Sequence, residues 1–239
     1  MPRRDRIVVP SLPHHITHRG NRRDEIFRQA DDYRIYLRLL RKAVERNPVK
    51  IWAYVLMPNH IHLIVVPERE DSLADAIQWA HGKYADVFNG LYGTVGHLWQ
   101  GRFRSTVMDE SHLFNGVRYV ERNPVRAGLV GKAEDYSWSS AAVHCGFRSD
   151  PLVSGDLPFA NVIQDWSGWL AGAETEEEIR RLRNCTQTGY PCGPDEFVRC
   201  LEQRVGHRIF SRNGSRGVKG DEGSDPSSPP SPPLFPSVC

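Results

Sequence analysis

Two histidines separated by one residue, His60 and His62, are the clearest potential metal ligands in the sequence. They begin an apolar segment, directly after the corner Pro58-Asn59, that predicts a strand. Because alternate residues of a strand point to the same side, both imidazoles are expected on one face of the sheet. Neutral imidazoles bind divalent cations well. Taken alone, such a pair is more often two ordinary strand histidines than a metal site.

Tyr119 and Asn123 form a second potential constellation, because residues four apart in a predicted helix share a face. The tyrosine offers a phenolic hydroxyl as a nucleophile, and the asparagine offers a carbonyl oxygen as a third metal ligand. Each also has an ordinary interpretation, Tyr119 as a core aromatic and Asn123 as a helix C-cap before Pro124. Tyr84 is the competing nucleophile, but no potential metal ligand lies one helical turn from it.

The elements that must position these residues follow from hydrophobic periodicity and from the turn signals between segments. Their order is strand, helix, strand, strand, helix, strand, followed by a third helix. This order predicts an α+β, ferredoxin-like antiparallel sheet with helices on one face and the other face free for a ligand. The predicted strands are 12–17, 50–57, 60–66 and a short one ending at Met108, and the predicted helices are 31–45, 72–88 and 111–121.

Three regions are expected along the chain. Residues 1–150 hold the catalytic domain. Residues 151–210 form a small helical C-terminal extension, with helices predicted at 174–182 and 195–205, that should pack on the main domain because two short helices make a poor core. Residues 211–239 are rich in proline and serine and are predicted to be a disordered tail.

Composition excludes several classes of protein. The 239 residues contain five cysteines and no Cys-x-x-Cys pair, which argues against a zinc ribbon or a disulfide framework. The longest apolar runs, such as 63–66, are far shorter than the ~20 residues of a membrane span. We therefore expect a cytoplasmic protein without a membrane partner.

Charge is distributed unevenly along the chain. Residues 1–50 carry 13 basic and 6 acidic residues, a net charge of +7, whereas 51–150 and 151–239 carry −2 and −3. A basic N-terminal third is typical of a protein that contacts a phosphate backbone, although a solvated helix face would give the same balance. Most of these basic residues are arginine, whose planar guanidinium makes bidentate hydrogen bonds to phosphate and stacks on bases.

Several ordered motifs together resemble the REP-associated tyrosine transposases, which are bacterial relatives of the single-tyrosine HUH insertion-sequence transposases. The resemblance covers roughly residues 8–147. Its motifs are His15-Ile16-Thr17-His18-Arg19-Gly20-Asn21, Asp32-Tyr33-Arg34-Ile35-Tyr36-Leu37, His60-Ile61-His62, Trp99-Gln100-Gly101-Arg102-Phe103, the segment Tyr119-Val120-Glu121-Arg122-Asn123-Pro124-Val125-Arg126-Ala127-Gly128 and Trp138-Ser139-Ser140.

The resemblance implies a role for each matching residue. His60 and His62 would bind the metal, Tyr119 would be the nucleophile, and Asn123 would be the third ligand, in a position where the wider class uses glutamine. The implied activity is nicking and rejoining of single-stranded hairpin DNA through a 5′-phosphotyrosine intermediate. Mg²⁺ or Mn²⁺ is the expected cofactor, and manganese suits the histidines better.

DNA recognition is expected from two groups of residues. Arg19, Arg22 and Arg23, beside the first strand, could follow the backbone of single-stranded DNA in palindromic repeats. Trp99, Arg102 and Phe103 could stack on unpaired bases, although Trp99 and Phe103 could equally be core residues. A homodimer is compatible with the sequence.

Two other functions fit the same residues. A domesticated, non-catalytic nucleic-acid-binding module could retain the fold, although such a module has no need of all four site residues. A metal-dependent phosphoesterase that uses water would have no covalent step, and Tyr119 would then be dispensable. Replication-initiation and relaxase-type HUH nucleases usually carry further histidines or a second tyrosine.

Overall fold

A four-stranded antiparallel sheet forms the centre of the fold in the computed structural model, which describes residues 6–209. The strands lie in the order β2–β3–β1–β4, as the ferredoxin-like arrangement requires. Their bounds are β1 (His14–Arg19), β2 (Val49–Met57), β3 (His60–Pro67) and β4 (Arg104–Val107). The predicted α+β class and antiparallel sheet are confirmed. The predicted tail, 211–239, lies outside the described residues.

Two long helices cover one face of the sheet, α1 (Ala30–Arg46) and α2 (Ser72–Tyr92). Their apolar sides meet Ile61, Leu63 and Val65 of β3 in the first of three cores. The α2 helix continues through Asn89-Gly90, where the sequence predicted its end, and stops at a left-handed Gly93. An interior glycine weakens a helix by only about 1 kcal/mol, so packing decides where α2 ends.

The second face of the sheet is also covered, contrary to the expectation that it would be free. Helix α3 (Glu110–Glu121) packs there against Ile64 and Val66, in a core separate from the first. A bulge at Trp52 turns two consecutive residues of β2, Trp52 and Ala53, towards this core. Both sides of β2 and β3 are therefore apolar, and each side needs helices over it.

The C-terminal extension packs on the exposed edge of the sheet, as predicted. Two short helices, α4 (Asn123–Arg126) and α5 (Ala141–His144), precede the extension, which itself contains α6 (Trp166–Ala171), α7 (Glu176–Thr188) and α8 (Asp195–Val205). Of these five helices only α7 and α8 were expected. The Thr106 hydroxyl donates to the Cys185 carbonyl at 3.1 Å, which ties α7 to β4. Phe197, Val198 and Leu201 of α8 pack against Val107 in a third core. An uncovered edge strand invites pairing with other chains, and these helices prevent it.

None of the helices between residues 6 and 209 has the length and apolar character that crossing a bilayer would require.

Candidate metal and nucleophile site

The β2–β3 hairpin places the two histidines side by side on the face that α3 covers. His60 and His62 alternate with Ile61, which points into the opposite core. Their ring centroids lie 5.0 Å apart with the ring planes nearly perpendicular. His60 is half-buried and His62 is only 7% exposed. The strand alternation expected from the sequence is therefore present.

His60 is held by the residue that precedes it. The side chain of Asn59 donates through Nδ2 to the Arg23 carbonyl at 3.1 Å, which fixes the orientation of the amide. Its Oδ1 then accepts a hydrogen bond from Nδ1 of His60 at 2.6 Å. A neutral imidazole carries one proton, so Nε2 of His60 keeps its lone pair. The Pro-Asn-His corner thus presents a ready ligand atom.

Both histidines are neutral at physiological pH. Burial, together with a smaller effect from the nearby charge of Arg19, lowers the pKa of His60 to about 4. Burial also holds the pKa of His62 well below its ordinary value, and the neighbouring His15 and His60 add to this effect. Only a deprotonated ring nitrogen can bind a metal, so this environment favours ligation.

Tyr119 lies against the same pair of histidines. Its ring centroid is 5.7 Å from that of His62, in an edge-on arrangement, and the residue is 6% exposed. Within residues 6–209 its hydroxyl forms no hydrogen bond. The hydroxyl of the competing Tyr84 instead donates to the buried Ile26 carbonyl in the core on the other side of the sheet, and burial raises its pKa. The Tyr84 hydroxyl therefore lies on the opposite side of the sheet from the two histidines.

Asn123 does not lie on the tyrosine's helix as the sequence predicted, because α3 ends at Glu121 and Asn123 begins α4. The two residues remain neighbours across this junction. The amide Nδ2 of Asn123 donates to the Tyr119 carbonyl at 3.3 Å, and Oδ1 accepts no hydrogen bond from residues 6–209. Two neutral imidazoles and a spare amide oxygen suit Mn²⁺ or Mg²⁺. In the described part of the chain, no cluster of three His, Cys, Asp or Glu side chains offers a different metal site.

A buried carboxylate anchors the end of the tyrosine's helix. Glu121 is fully buried and accepts from Ser140 Oγ at 2.5 Å, from His144 Nδ1 at 2.7 Å and from Trp166 Nε1 at 3.0 Å. Ser140 also accepts from the backbone of Tyr54 in β2. A buried carboxylate needs such donors, and these join α3 to the sheet and to α6. The Trp-Ser-Ser motif therefore positions the helix that carries Tyr119.

Arg126 is a site residue to which the sequence reasoning gave no role. Its guanidinium carbon lies 4.4 Å from the centre of the Tyr119 ring, and NH2 donates to the Tyr119 carbonyl at 2.6 Å. Glu174 fixes it from the other side at 2.5 Å. A cation on a phenol ring favours negative charge on the oxygen. The sequence gave no indication of this contact. Arg126 follows Tyr119 by seven residues, and only the fold of α4 brings its guanidinium back onto the tyrosine ring.

Two further residues beneath the histidine pair were also missed. His15 of β1 hydrogen-bonds through Nε2 to Nδ1 of His62 at 2.8 Å, and through Nδ1 to the hydroxyl of Thr186 at 2.9 Å. Its ring stacks on that of His62, with centroids 5.0 Å apart. Only the β1–β3 pairing could have revealed this neighbour.

The predicted DNA-contacting arginines lie near the open end of the site. Arg19 pairs with His60 in the β1–β3 register and so points to the same face. Arg22 and Arg23 are exposed and both have positive φ, 54° and 66°. Non-glycine residues rarely adopt this conformation, and it is found disproportionately at functional sites. Arg102 is exposed as well.

Trp99 and Phe103 are core residues, which corrects the prediction that they stack on bases. Trp99 is 8% exposed, its ring stacks on His18 and His81, and its Nε1 donates to the His81 carbonyl at 3.0 Å. Phe103 is 4% exposed and lies under the guanidinium of Arg6 at 3.6 Å. In this structure neither ring has a face left for a base. Their aromatic character serves the first core, the alternative that the sequence left open.

Comparison with known proteins agrees with this fold. Residues 8–123 match the family described as "Transposase IS200 like". The match ends at Asn123 and includes both histidines and Tyr119.

Two similar proteins are named as REP-associated tyrosine transposases, one of them as putative. One from Escherichia coli K12 is 27% identical over 161 residues, which are 66% of this chain and 86% of the relative. One from Haemophilus influenzae is 30% identical over 112 residues, 42% of this chain, and the match spans only 63% of that relative. A solved REP-associated tyrosine transposase bound to a REP hairpin has the same fold, with a TM-score of 0.51 at 24% identity over 66% of this chain and 93% of that one.

Proposed function

We propose that this protein cleaves and rejoins single-stranded DNA, with Tyr119 as the nucleophile and a divalent cation held by His60 and His62. The observation that carries the proposal is the convergence of these three side chains on one face of the sheet, with the tyrosine ring 5.7 Å from that of His62. Tyr84, the alternative nucleophile, is buried in the other core and bonded to a backbone carbonyl.

The chemistry follows from the phenol. The Tyr119 oxygen attacks the scissile phosphorus and loses its proton, the bond from phosphorus to the 3′ oxygen breaks, and that oxygen leaves as a 3′-hydroxyl. The product is a 5′-phosphotyrosine, whose energy is close to that of the original diester. A 3′-hydroxyl can therefore attack it in turn, and rejoining needs no nucleotide cofactor.

Arg126 assists the nucleophile in this proposal. A free tyrosine has a pKa near 10 and is weakly nucleophilic at neutral pH. The guanidinium 4.4 Å from the Tyr119 ring stabilises negative charge as the phenolic proton leaves. Glu174 and the Tyr119 carbonyl hold this guanidinium in place before DNA binds.

His60 and His62 would hold Mg²⁺ or Mn²⁺, with the amide oxygen of Asn123 as a third protein ligand. A bound cation there supplies Lewis acidity to a non-bridging phosphate oxygen. The three ligands carry no negative charge, so the charge of the ion remains available to the phosphate.

The proposed substrate is single-stranded DNA folded as a hairpin. Arg19 shares the face of His60, and the exposed Arg22 and Arg23 extend a basic surface from the site. The N-terminal third of the chain carries a net +7. The solved relative with this fold is bound to a REP hairpin, which makes a palindromic hairpin the first substrate to test.

The decisive experiment uses hairpin oligonucleotides labelled at either the 5′ or the 3′ end, incubated with the protein and Mn²⁺. We expect a denaturant-resistant adduct with the fragment downstream of the nick, located on Tyr119 by digestion and mass spectrometry. Tyr119→Phe should abolish both cleavage and adduct while metal and DNA binding persist, because only one hydroxyl is lost.

Tyr92→Phe is the matched control, since Tyr92 lies at the far end of α2 and its hydroxyl bonds Asp32. This variant should cleave normally. Cleavage without an adduct in Tyr119→Phe would favour the water-using phosphoesterase, and DNA binding without cleavage in the wild type would favour the non-catalytic module. Equal affinity for a plain duplex at physiological salt would contradict the single-strand specificity.

A further inference from the structure

A chain of hydrogen bonds connects the candidate metal ligand His62 to the C-terminal extension. Nδ1 of His62 lies 2.8 Å from Nε2 of His15, and Nδ1 of His15 lies 2.9 Å from the hydroxyl oxygen of Thr186 in α7. The Thr186 hydroxyl lies in turn 2.7 Å from the carbonyl of Leu182. The chain thus ends on a backbone group of α7.

The direction of each bond can be worked out from that carbonyl. A carbonyl oxygen only accepts, so the single proton of the Thr186 hydroxyl is donated to Leu182. The hydroxyl oxygen must then accept from His15, which places a proton on Nδ1 of that imidazole.

His15 is neutral on structural grounds, because it is 1% exposed and no acidic side chain among residues 6–209 hydrogen-bonds to it. An unpaired charge at such a position would be costly. With its one proton on Nδ1, Nε2 of His15 is an acceptor, and the proton between the two histidines belongs to Nδ1 of His62. Nε2 of His62 is left with a bare lone pair.

His60 reaches the same state by a different route. The amide of Asn59, oriented by the Arg23 carbonyl, accepts from Nδ1 of His60 and leaves its Nε2 bare. Two independent networks therefore give both imidazoles the same tautomer, the one in which Nε2 can bind a cation. The partner of His60 comes from the hairpin itself, whereas the partners of His62 come from β1 and from the C-terminal extension.

We infer that His15 and Thr186 are positioning residues that hold His62 in the tautomer that a divalent cation requires. The inference rests on the proposed function only in taking His62 as a metal ligand. Without the Thr186 oxygen, the buried N–H of His15 would have no acceptor. The imidazole would then move its proton to Nε2 and donate to Nδ1 of His62, which would put the His62 proton on Nε2 and block the cation.

The test compares the wild type with Thr186→Val, which matches threonine in shape but has no hydroxyl, and with Thr186→Ser, which restores it. Long-range ¹H–¹⁵N spectra of the metal-free, ¹⁵N-histidine-labelled full-length protein report the tautomer of each imidazole. We expect His62 protonated at Nδ1 in the wild type and in Thr186→Ser, and at Nε2 in Thr186→Val. Mn²⁺ affinity should fall about 10- to 100-fold in Thr186→Val and recover in Thr186→Ser.

Wild-type spectra with the His62 proton on Nε2 would overturn the inference without any variant, so it remains testable even if Thr186→Val fails to fold. A folded Thr186→Val protein with an unchanged tautomer and unchanged Mn²⁺ affinity would also overturn it. If the wild type has the expected tautomers but binds no Mn²⁺, the metal assignment in the proposed function fails while the hydrogen-bond chain stands.

Discussion

His60 and His62 show how far residue spacing alone can predict a site. Their spacing in a strand predicted a shared face, and the structure has the two rings 5.0 Å apart on that face. The position of Tyr119 beside them came from the family resemblance, and the structure brings its ring to the same place. Their roles in metal binding and catalysis stay predictions.

Removing both histidines should abolish divalent metal binding. We expect calorimetry to show one Mn²⁺ per chain for the wild type and no binding heat for the His60→Ala, His62→Ala double variant, because the two imidazoles supply most of the donor set. His207→Ala is the control, since His207 is exposed beyond α8 and should leave the isotherm unchanged. An unaltered isotherm in the double variant would refute the site.

Other residues could not be predicted because their partners lie far along the chain. Thr186 is 171 residues from His15, and no local pattern marks either as part of one site. Trp99 was misassigned for a related reason. The sequence around an aromatic residue beside arginines does not distinguish a base-stacking residue from a core residue. In the structure Trp99 stacks on His18 and His81 in the core.

At the level of the elements, the turn after β1 supports the site more closely than its sequence suggested. Gly20 donates its backbone N–H to the Asn59 carbonyl at 2.9 Å, and the Arg23 carbonyl in the same turn orients the Asn59 amide. A Cβ at position 20 would lie 2.4 Å from the Asp24 carbonyl oxygen and 2.8 Å from Ile26. Only glycine fits between the turn and the hairpin corner.

Gly20→Ala should therefore destabilise the fold by about 1–3 kcal/mol, the usual effect of overpacking. It should also weaken Mn²⁺ binding, because the turn must move away from Asn59. Chemical denaturation and calorimetry measure the two effects. The matched control is Gly90→Ala in α2, where a Cβ meets nothing within 4 Å and the better helix propensity of alanine should add about 0.5–1 kcal/mol. Equal stability for Gly20→Ala and wild type would show that the turn can move to accommodate a Cβ without loss of stability.

Element order was predictable from sequence, whereas element boundaries and coverage were not. The β-α-β-β-α-β order follows from periodicity and turn residues, which are local. The bulge at Trp52 and the extension of α2 past Gly90 depend on packing between distant segments. The expectation of a free face failed because strands apolar on both sides need a second layer, and the sequence did not show that α3 would supply it.

Across the whole molecule, buried neutral histidines line both faces of the sheet. His14 accepts the Val9 N–H through Nε2 and lies 2.8 Å from the Leu12 carbonyl through Nδ1, so it has no place for a second proton. His18, on the same face of β1 as His14, bonds His81 and the Gly101 carbonyl, whereas His15 and His62 lie on the opposite face. Burial lowers the pKa of His14 and of His18 to about 4.

Stability should therefore fall as the pH drops from about 6.5 towards 4. In this pH range the unfolded chain binds protons at these histidines and the folded protein does not. The full stability is therefore present above pH 6.5 and is lost on acidification. Each histidine accounts for a few kcal/mol at most, with a limiting slope of about 1.4 kcal/mol per pH unit.

Urea denaturation at several pH values, without divalent ions, measures this loss. His14→Asn should reduce the slope of unfolding free energy against pH by up to about 1.4 kcal/mol per pH unit, the contribution of one proton. His207→Asn, at an exposed position, should leave the slope unchanged. An identical slope in His14→Asn and wild type would show that His14 is protonated equally in both states.

The bond from Thr186 to His15 also bears on the biosynthesis of the protein. The two histidines, the tyrosine and Asn123 all leave the ribosome before Thr186 does, since they lie within the first 123 residues. The sheet and α3 are therefore fully synthesised while the last support of His62 is still untranslated. If the tautomer depends on α7 as inferred, a premature stop before residue 186 yields a fragment that contains both histidines and Tyr119 but lacks the support of His62. Under the proposed function, interrupted synthesis would then release a chain with an impaired metal site.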